Sequence, residues 1–180
     1  MQSNIKFDPL YIKNSKEWFN EAQQMQELIF YKFFCLWCSF NALYNLVKVK
    51  GNDIDKIHYL VKKLSEEDAS LIIKKNKKKC DFFFCYKGKP VMDMKKLLYD
   101  KKQPDDVENF KSFVDKYKKP DVANLDKILD ISNILYRVRN NLTRGSKEFS
   151  GRNKEVIFHA LPILESLTQV IVEKVFDGRF

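Results

Sequence analysis

The residues of this chain best suited to chemistry are its arginines. Of 33 basic residues only five are Arg, and Arg137, Arg139, Arg144, Arg152 and Arg179 all lie in the C-terminal part of the 180-residue chain. The rest are Lys, spread along a sequence so rich in Lys, Asn, Ile and Phe that an ammonium would serve wherever a bare positive charge sufficed. A guanidinium offers a planar fork that grips phosphate or carboxylate through two parallel hydrogen bonds, which an ammonium cannot do. Three of the arginines fall in the string RVRNNLTR, together with the amides Asn140 and Asn141. At about 100° per residue, Arg139 lies at the edge of an apolar stripe and is followed round the helix by Thr143, Asn140, Arg144 and Arg137. Arg139, Asn140 and Arg144 can therefore converge on one anion, with Arg137, Asn141 and Arg152 as further phosphate contacts. Such a set binds anions and stabilises developing negative charge, but a guanidinium, with a pKa above about 12, supplies no base.

The remaining chemistry-bearing residues are few. His58 and His159 are the two histidines, and His159 lies on the segment that should pack against the arginine helix, which makes it the better placed of the two for proton transfer. Cys35 and Cys38 form a C-x-x-C, with Cys80 and Cys85 further on. Their setting, FFCLWCSF, lacks the Gly and Pro turns that curl a chain around zinc, so buried free thiols are expected, with no metal and no cofactor. The run KKNKKK at 74–79 reads as a solvated helix end. A formal charge of +9 points to an anionic partner and says nothing about fold. The opening MQSNIKFDPLYIKN carries no apolar secretory segment, so a reducing, cytoplasmic setting is expected. The apolar stretch 28–49 is interrupted by Lys32, Asn41 and Asn45 and falls short of the roughly 18 unbroken apolar residues of a membrane span.

Positioning these groups requires helices. Hydrophobic residues make up 44% of the chain and aromatics 14%, enough for a large core, and five Gly and five Pro are too few for a fold of many short strands. A first long helix is predicted from an N-cap at Ser15 to about Lys48, carrying Met25, Ile29, Phe33, Phe40 and Tyr44 at helical spacing. Shorter helices follow over 54–64 and 66–75. CDFFFCYKGKPV at 80–91 reads as a small loop or hairpin, and two weaker helices are expected over 92–99 and 105–117. Ile128, Ile131, Leu135, Val138 and Leu142 form the clearest stripe, with Gly145 placed to end that helix. A last helix runs from about Arg152 to Phe176. The expectation is one all-α domain, an up-and-down bundle with a small insertion between the first long helix and the C-terminal pair.

The stretch ILYRVRNNLTRGSKEFSGRNKEVIFHALPILESL resembles the signature region of the HEPN superfamily (higher eukaryotes and prokaryotes nucleotide-binding domains), whose hallmark is R-N-x-x-x-H followed by Gly. FFCLWCSFNALYN is similar to the W-x-x-F-N-A-L-Y-N segment seen in several of these families. The resemblance implies a metal-independent endoribonuclease, composed as a homodimer, in which a ribose 2′-OH attacks the adjacent phosphate while His and Arg handle protons and charge. Arg139 matches the motif Arg and Asn140 its polar neighbour, but Arg144 stands where the family has His. Histidine both accepts and donates protons near neutral pH, and losing such help typically costs roughly 10²–10⁴ in rate. The resemblance thus implies an RNA- or nucleotide-binding protein with weak or lost catalysis, acting with a cognate antitoxin or another anti-phage defence partner and not at a membrane. An active endoribonuclease toxin and a pure protein-interaction module are the competing readings.

Overall fold

Apolar side chains recur at three- and four-residue spacing through most of the sequence, and the described chain is correspondingly all helical. The computed structural model describes residues 9–24, 28–85, 103–143 and 151–178. They form α1 (Pro9–Gln24), α2 (Ile29–Leu46), α3 (Asp53–Val61), α4 (Glu66–Lys75), α5 (Lys77–Cys85), α6 (Gln103–Lys118), α7 (Asn124–Thr143) and α8 (Gly151–Phe176), with no strand among the described residues. The expected all-α helical bundle is the observed architecture, with α3 to α6 falling between the α1–α2 pair and the C-terminal helices in chain order. The most widely shared helix is α8, which packs on α1, α2, α4, α5 and α7. Its buried Ile157, Ala160, Ile163, Leu164, Leu167 and Ile171 meet Phe33, Leu36, Phe40 and Tyr44 of α2 and Ile128, Ile131 and Leu135 of α7 in one continuous core.

The first long helix is in fact two. Leu28 breaks it with non-helical backbone angles, φ −99° and ψ 73°, and α1 packs on α2. Ser15 is not an N-cap: it sits inside α1, fully buried. Its hydroxyl pairs with the hydroxyl of Ser39 at 2.9 Å, 24 residues away and on the other side of the break, as an antiparallel hairpin of helices requires. The second correction concerns the segment read as a loop or hairpin from Cys80. Residues 77–85 are helical, and Cys80, Phe83 and Phe84 face the core at positions i, i+3 and i+4. Phe84 stacks on Tyr117 of α6 with centroids 4.3 Å apart, and the Tyr117 hydroxyl donates to Asp81 at 3.0 Å. The rest of that segment, the helix expected over 92–99 and the helix stop at Gly145 lie outside the described residues.

Local chemistry fixes the helix starts that matter for the site. Asn52 and Ser65 each form a reciprocal capping box, with Asp55 and Asp68 as the returning carboxylates. Gly51 precedes the first box at φ 145°, where a side chain would strike the Asp55 carboxylate. Burial of Asp68 opposes its ionisation, but an ion pair to Lys174 of α8 at 2.8 Å and the bonds from Ser65 outweigh it and hold the carboxyl below its ordinary range. Glu66 caps a different helix: its carboxylate accepts the Asn124 N–H at 2.6 Å and the Leu125 N–H at 3.0 Å. Those donors are the exposed first turn of α7, and they hold Glu66 below its ordinary range. Helix α7, which carries the arginines, is therefore anchored at its N-terminal end by α4.

By length and composition, one helix among the described residues, spanning Asn153–Phe176, is apolar enough to cross a membrane. The apolar stretch singled out in the sequence, 28–49, is not that helix. In this fold the apolar face of α8 is directed into the core.

Candidate functional site

Helix α7 turns Ile128, Ile131, Ile134, Leu135 and Val138 into the core, and this orientation decides where its polar residues point. Arg139 emerges half-buried on the side of α2. Its guanidinium carbon lies 5.7 Å from the centre of the Trp37 ring, within cation–π range, and Nη1 donates to the amide oxygen of Asn140 at 2.9 Å. Trp37 in turn packs against Tyr136, one turn earlier on α7, with centroids 6.3 Å apart. Thr143 donates its hydroxyl to the carbonyl of Arg139 at 3.1 Å, which ties its side chain to the last turn of the helix. Among the described residues the hydrogen-bond acceptor of Arg139 is a neutral amide and no carboxylate pairs with it. Its Nε is buried without an acceptor there, as is the Trp37 indole N–H.

The expected anion-binding set is only partly brought together. Asn140 is 2% exposed and Asn141 is 6% exposed, so both amides are part of the packed interior. Arg137 points the other way, with its guanidinium 5.5 Å from the ring of Phe113 on α6. Residues two apart on a helix are about 200° apart around it, so Arg137 and Arg139 serve different helix interfaces. Arg144 lies outside the described residues; the backbone of Arg152 lies in the first turn of α8, and its side chain is outside the description.

Sequence reasoning took the groups around Arg139 as core aromatics and a buried thiol and did not place them beside it. Trp37, Cys38 and Tyr44 all come from the W-x-x-F-N-A-L-Y-N stretch of α2, whose aromatics read, correctly, as core: Trp37 is 3% exposed and Tyr44 is fully buried. The signal for a second role was available only in the resemblance. Burial, assisted by Cys35, pushes the Cys38 thiol above its ordinary range, and Arg139 only partly offsets this. Burial and the nearby Asp53 carboxylate push the Tyr44 phenol well above its ordinary range, again against the pull of Arg139. Both therefore remain neutral at physiological pH, and neither supplies a base or a nucleophilic anion beside the guanidinium.

The histidines are engaged elsewhere. His58 shares a hydrogen bond of 2.9 Å with the Asn133 side chain. His159 lies flat on Phe82 of α5, centroids 3.8 Å apart and planes 7° from parallel. Burial and then the Lys79 charge pull its pKa down, with Glu155 opposing. The charges that act on His159 are thus those of Lys79 and Glu155, whereas Arg139 acts on Cys38 and Tyr44.

Cys35, Cys38 and Cys80 are thiols not joined in a disulfide, the first and third fully buried, and the side chain of Cys85 is outside the description. Among the described residues no three His, Cys, Asp or Glu side chains are gathered as a metal site would require. No family model, curated protein or solved structure matches this chain.

Proposed function

We propose that this chain is a HEPN-like RNA- or nucleotide-binding protein, related to metal-independent endoribonucleases, in which cleavage is weak or lost. The observation that carries the reading is the meeting of Arg139 with Trp37. The two stretches that resemble the family are far apart in sequence, and their Arg and Trp lie within cation–π distance in the fold. A guanidinium braced by an amide and an indole, with no carboxylate paired to it among the described residues, is suited to a phosphate oxygen. Asn140 acts as a positioning residue, since its buried amide reaches Arg139 and not solvent. Cleavage also needs a group to take the 2′-OH proton. Arg144 cannot do so, His58 is hydrogen-bonded to Asn133, earlier on α7 than Arg139, and His159 is stacked on Phe82 of α5. As the resemblance implies, the site is completed in a homodimer, and the biological role is that of a partner or regulator in a toxin–antitoxin or other anti-phage defence system.

Incubation with total RNA in EDTA tests this reading. The unmodified chain is expected to bind RNA in a salt-dependent manner and to cleave it little, with activity appearing in Arg144→His. Robust cleavage by the unmodified chain that disappears in Arg139→Ala would overturn the loss of catalysis. Absence of RNA binding at low salt would overturn the reading as a whole, and a monomer by light scattering at micromolar concentration would overturn the dimeric site.

A further inference from the structure

We infer that the corner between α4 and α5, together with Phe158 of α8, is a docking surface for single-stranded nucleic acid. It goes beyond the Arg139 site, in which none of these residues takes part. The lysine run at 74–79 closes α4 and opens α5, a solvated helix end as its sequence suggests, but one built on a pinned backbone. It straddles Asn76, which is 4% exposed and pinned: its Nδ2 donates to the Ile72 carbonyl at 3.0 Å and to the Ser166 hydroxyl of α8 at 2.9 Å. Its backbone N–H also returns to Ile72. The lysines thus spring from a backbone fixed on α8, with Lys74, Lys75, Lys77 and Lys78 exposed. Lys77 is paired with Asp81 at 2.8 Å, but among the described residues no carboxylate pairs with Lys74, Lys75 or Lys78.

The second observation is aromatic. Phe158 is 54% exposed, and the Lys79 ammonium sits 3.6 Å from its ring centre. Beneath it the ring meets His159 edge to face at 5.4 Å, and His159 is stacked on Phe82, so the platform is braced from inside the molecule. Lysines carried on a fixed backbone and a braced, partly exposed aromatic are the two components that hold a single strand, the first taking phosphates and the second stacking an unpaired base. A duplex offers only the phosphates, because its bases are already stacked. An anionic lipid surface likewise offers only headgroup phosphates to the lysines and, with Phe83 and Phe84 directed into the core, leaves the exposed ring of Phe158 without a stacking partner.

Fluorescence anisotropy with end-labelled oligo(U) and oligo(dT) 15-mers tests the proposal. The variants are Phe158→Leu, the triple change Lys74→Ala, Lys75→Ala and Lys78→Ala, and Arg139→Ala. Removing three phosphate contacts is expected to flatten the log–log salt dependence by about 2, since single strands contribute roughly 0.7 per contact. Phe158→Leu is expected to weaken binding about 5- to 100-fold without changing that slope. The three lysines are exposed, so an unchanged thermal melt is expected of the triple variant, and Phe158→Leu, which keeps an apolar side chain against His159, should still melt in one cooperative transition. Nothing at the corner selects a 2′-OH, and the two oligonucleotides should bind Arg139→Ala within a few-fold of each other. Unchanged affinity in Phe158→Leu, or an unchanged slope in the triple variant, would overturn the inference. So would vesicles of anionic phosphatidylserine that compete as effectively as the oligonucleotides. Loss of binding in Arg139→Ala alone would refute the corner and leave the α7 reading standing, and loss in the corner variants alone would do the reverse.

Discussion

Asn140 does its work one residue away from itself. Its oxygen takes a proton donor from Arg139 at 2.9 Å while the amide stays buried. Asn140→Ala leaves that donor without its partner and a small void, for an expected loss of about 1–3 kcal/mol in urea unfolding together with weaker RNA binding. Asn140→Asp is the more telling change. A carboxylate there keeps the geometry and pairs with the guanidinium, so the protein should stay folded at neutral pH and still lose RNA affinity. Retained RNA affinity in Asn140→Asp would show that the charge of Arg139 is not what the ligand meets. At this scale the sequence was legible in part. Arg139 at the stripe edge followed from helical periodicity, as did the apolar residues beneath it. Trp37 did not, because an aromatic at helical spacing reads as core whether or not the face of its ring also receives a cation. The opposite directions of Arg137 and Arg139 depend on α6 and α2 lying on different sides of α7, which is a tertiary fact.

Elements were legible where capping chemistry is local and misread where tertiary packing imitates it. Ser65, directly before the acidic first turn of the helix expected over 66–75, caps it in the structure. Ser15, followed by Lys, Glu and Trp, has the same outward form, yet its hydroxyl serves a helix–helix contact with Ser39. The distinction is measurable by a double-mutant cycle. Ser15→Ala alone leaves a buried hydroxyl on Ser39 and should cost about 1 kcal/mol or more, whereas changing both serines to Ala should cost less than the sum of the two single changes. Strict additivity would return Ser15 to the role of a cap. The break before Leu28 was invisible for a related reason: Gln24 to Leu28 contains no Gly or Pro, and it is the return of α1 onto α2 that turns the chain. In CDFFFC the aromatic residues suggested a strand by propensity. The core-facing spacing of Cys80, Phe83 and Phe84 was helical all along and prevailed once α8 supplied a surface to pack on.

Across the whole molecule, the +9 charge resolves into three kinds of lysine and arginine with different partners. Some are tied to carboxylates, as Lys32 is to Glu165 and Lys174 to Asp68. Some lie on aromatic rings, as Arg139, Arg137 and Lys79 do. Others, like Lys74, Lys75 and Lys78, face solvent. Net charge raises the expectation of an anionic partner, but only the fold separates the cations already matched from those still exposed. The same uneven burial gives the molecule a built-in clock for its own opening. Cys35 in α2 and Cys80 in α5 are sealed in the core, and burial pushes the Cys80 thiol up to about 12, whereas Cys38 is only half-buried. In a Cys85→Ser background, a thiol reagent should modify Cys38 first, without unfolding. Cys80 should follow at the rate at which α5 lifts from α8, and Cys35 only when the hairpin of α1 and α2 separates. If Cys80 and Cys35 instead react together, the bundle opens as a single cooperative unit. The order of three alkylations would thus time the unpeeling of the bundle, helix by helix.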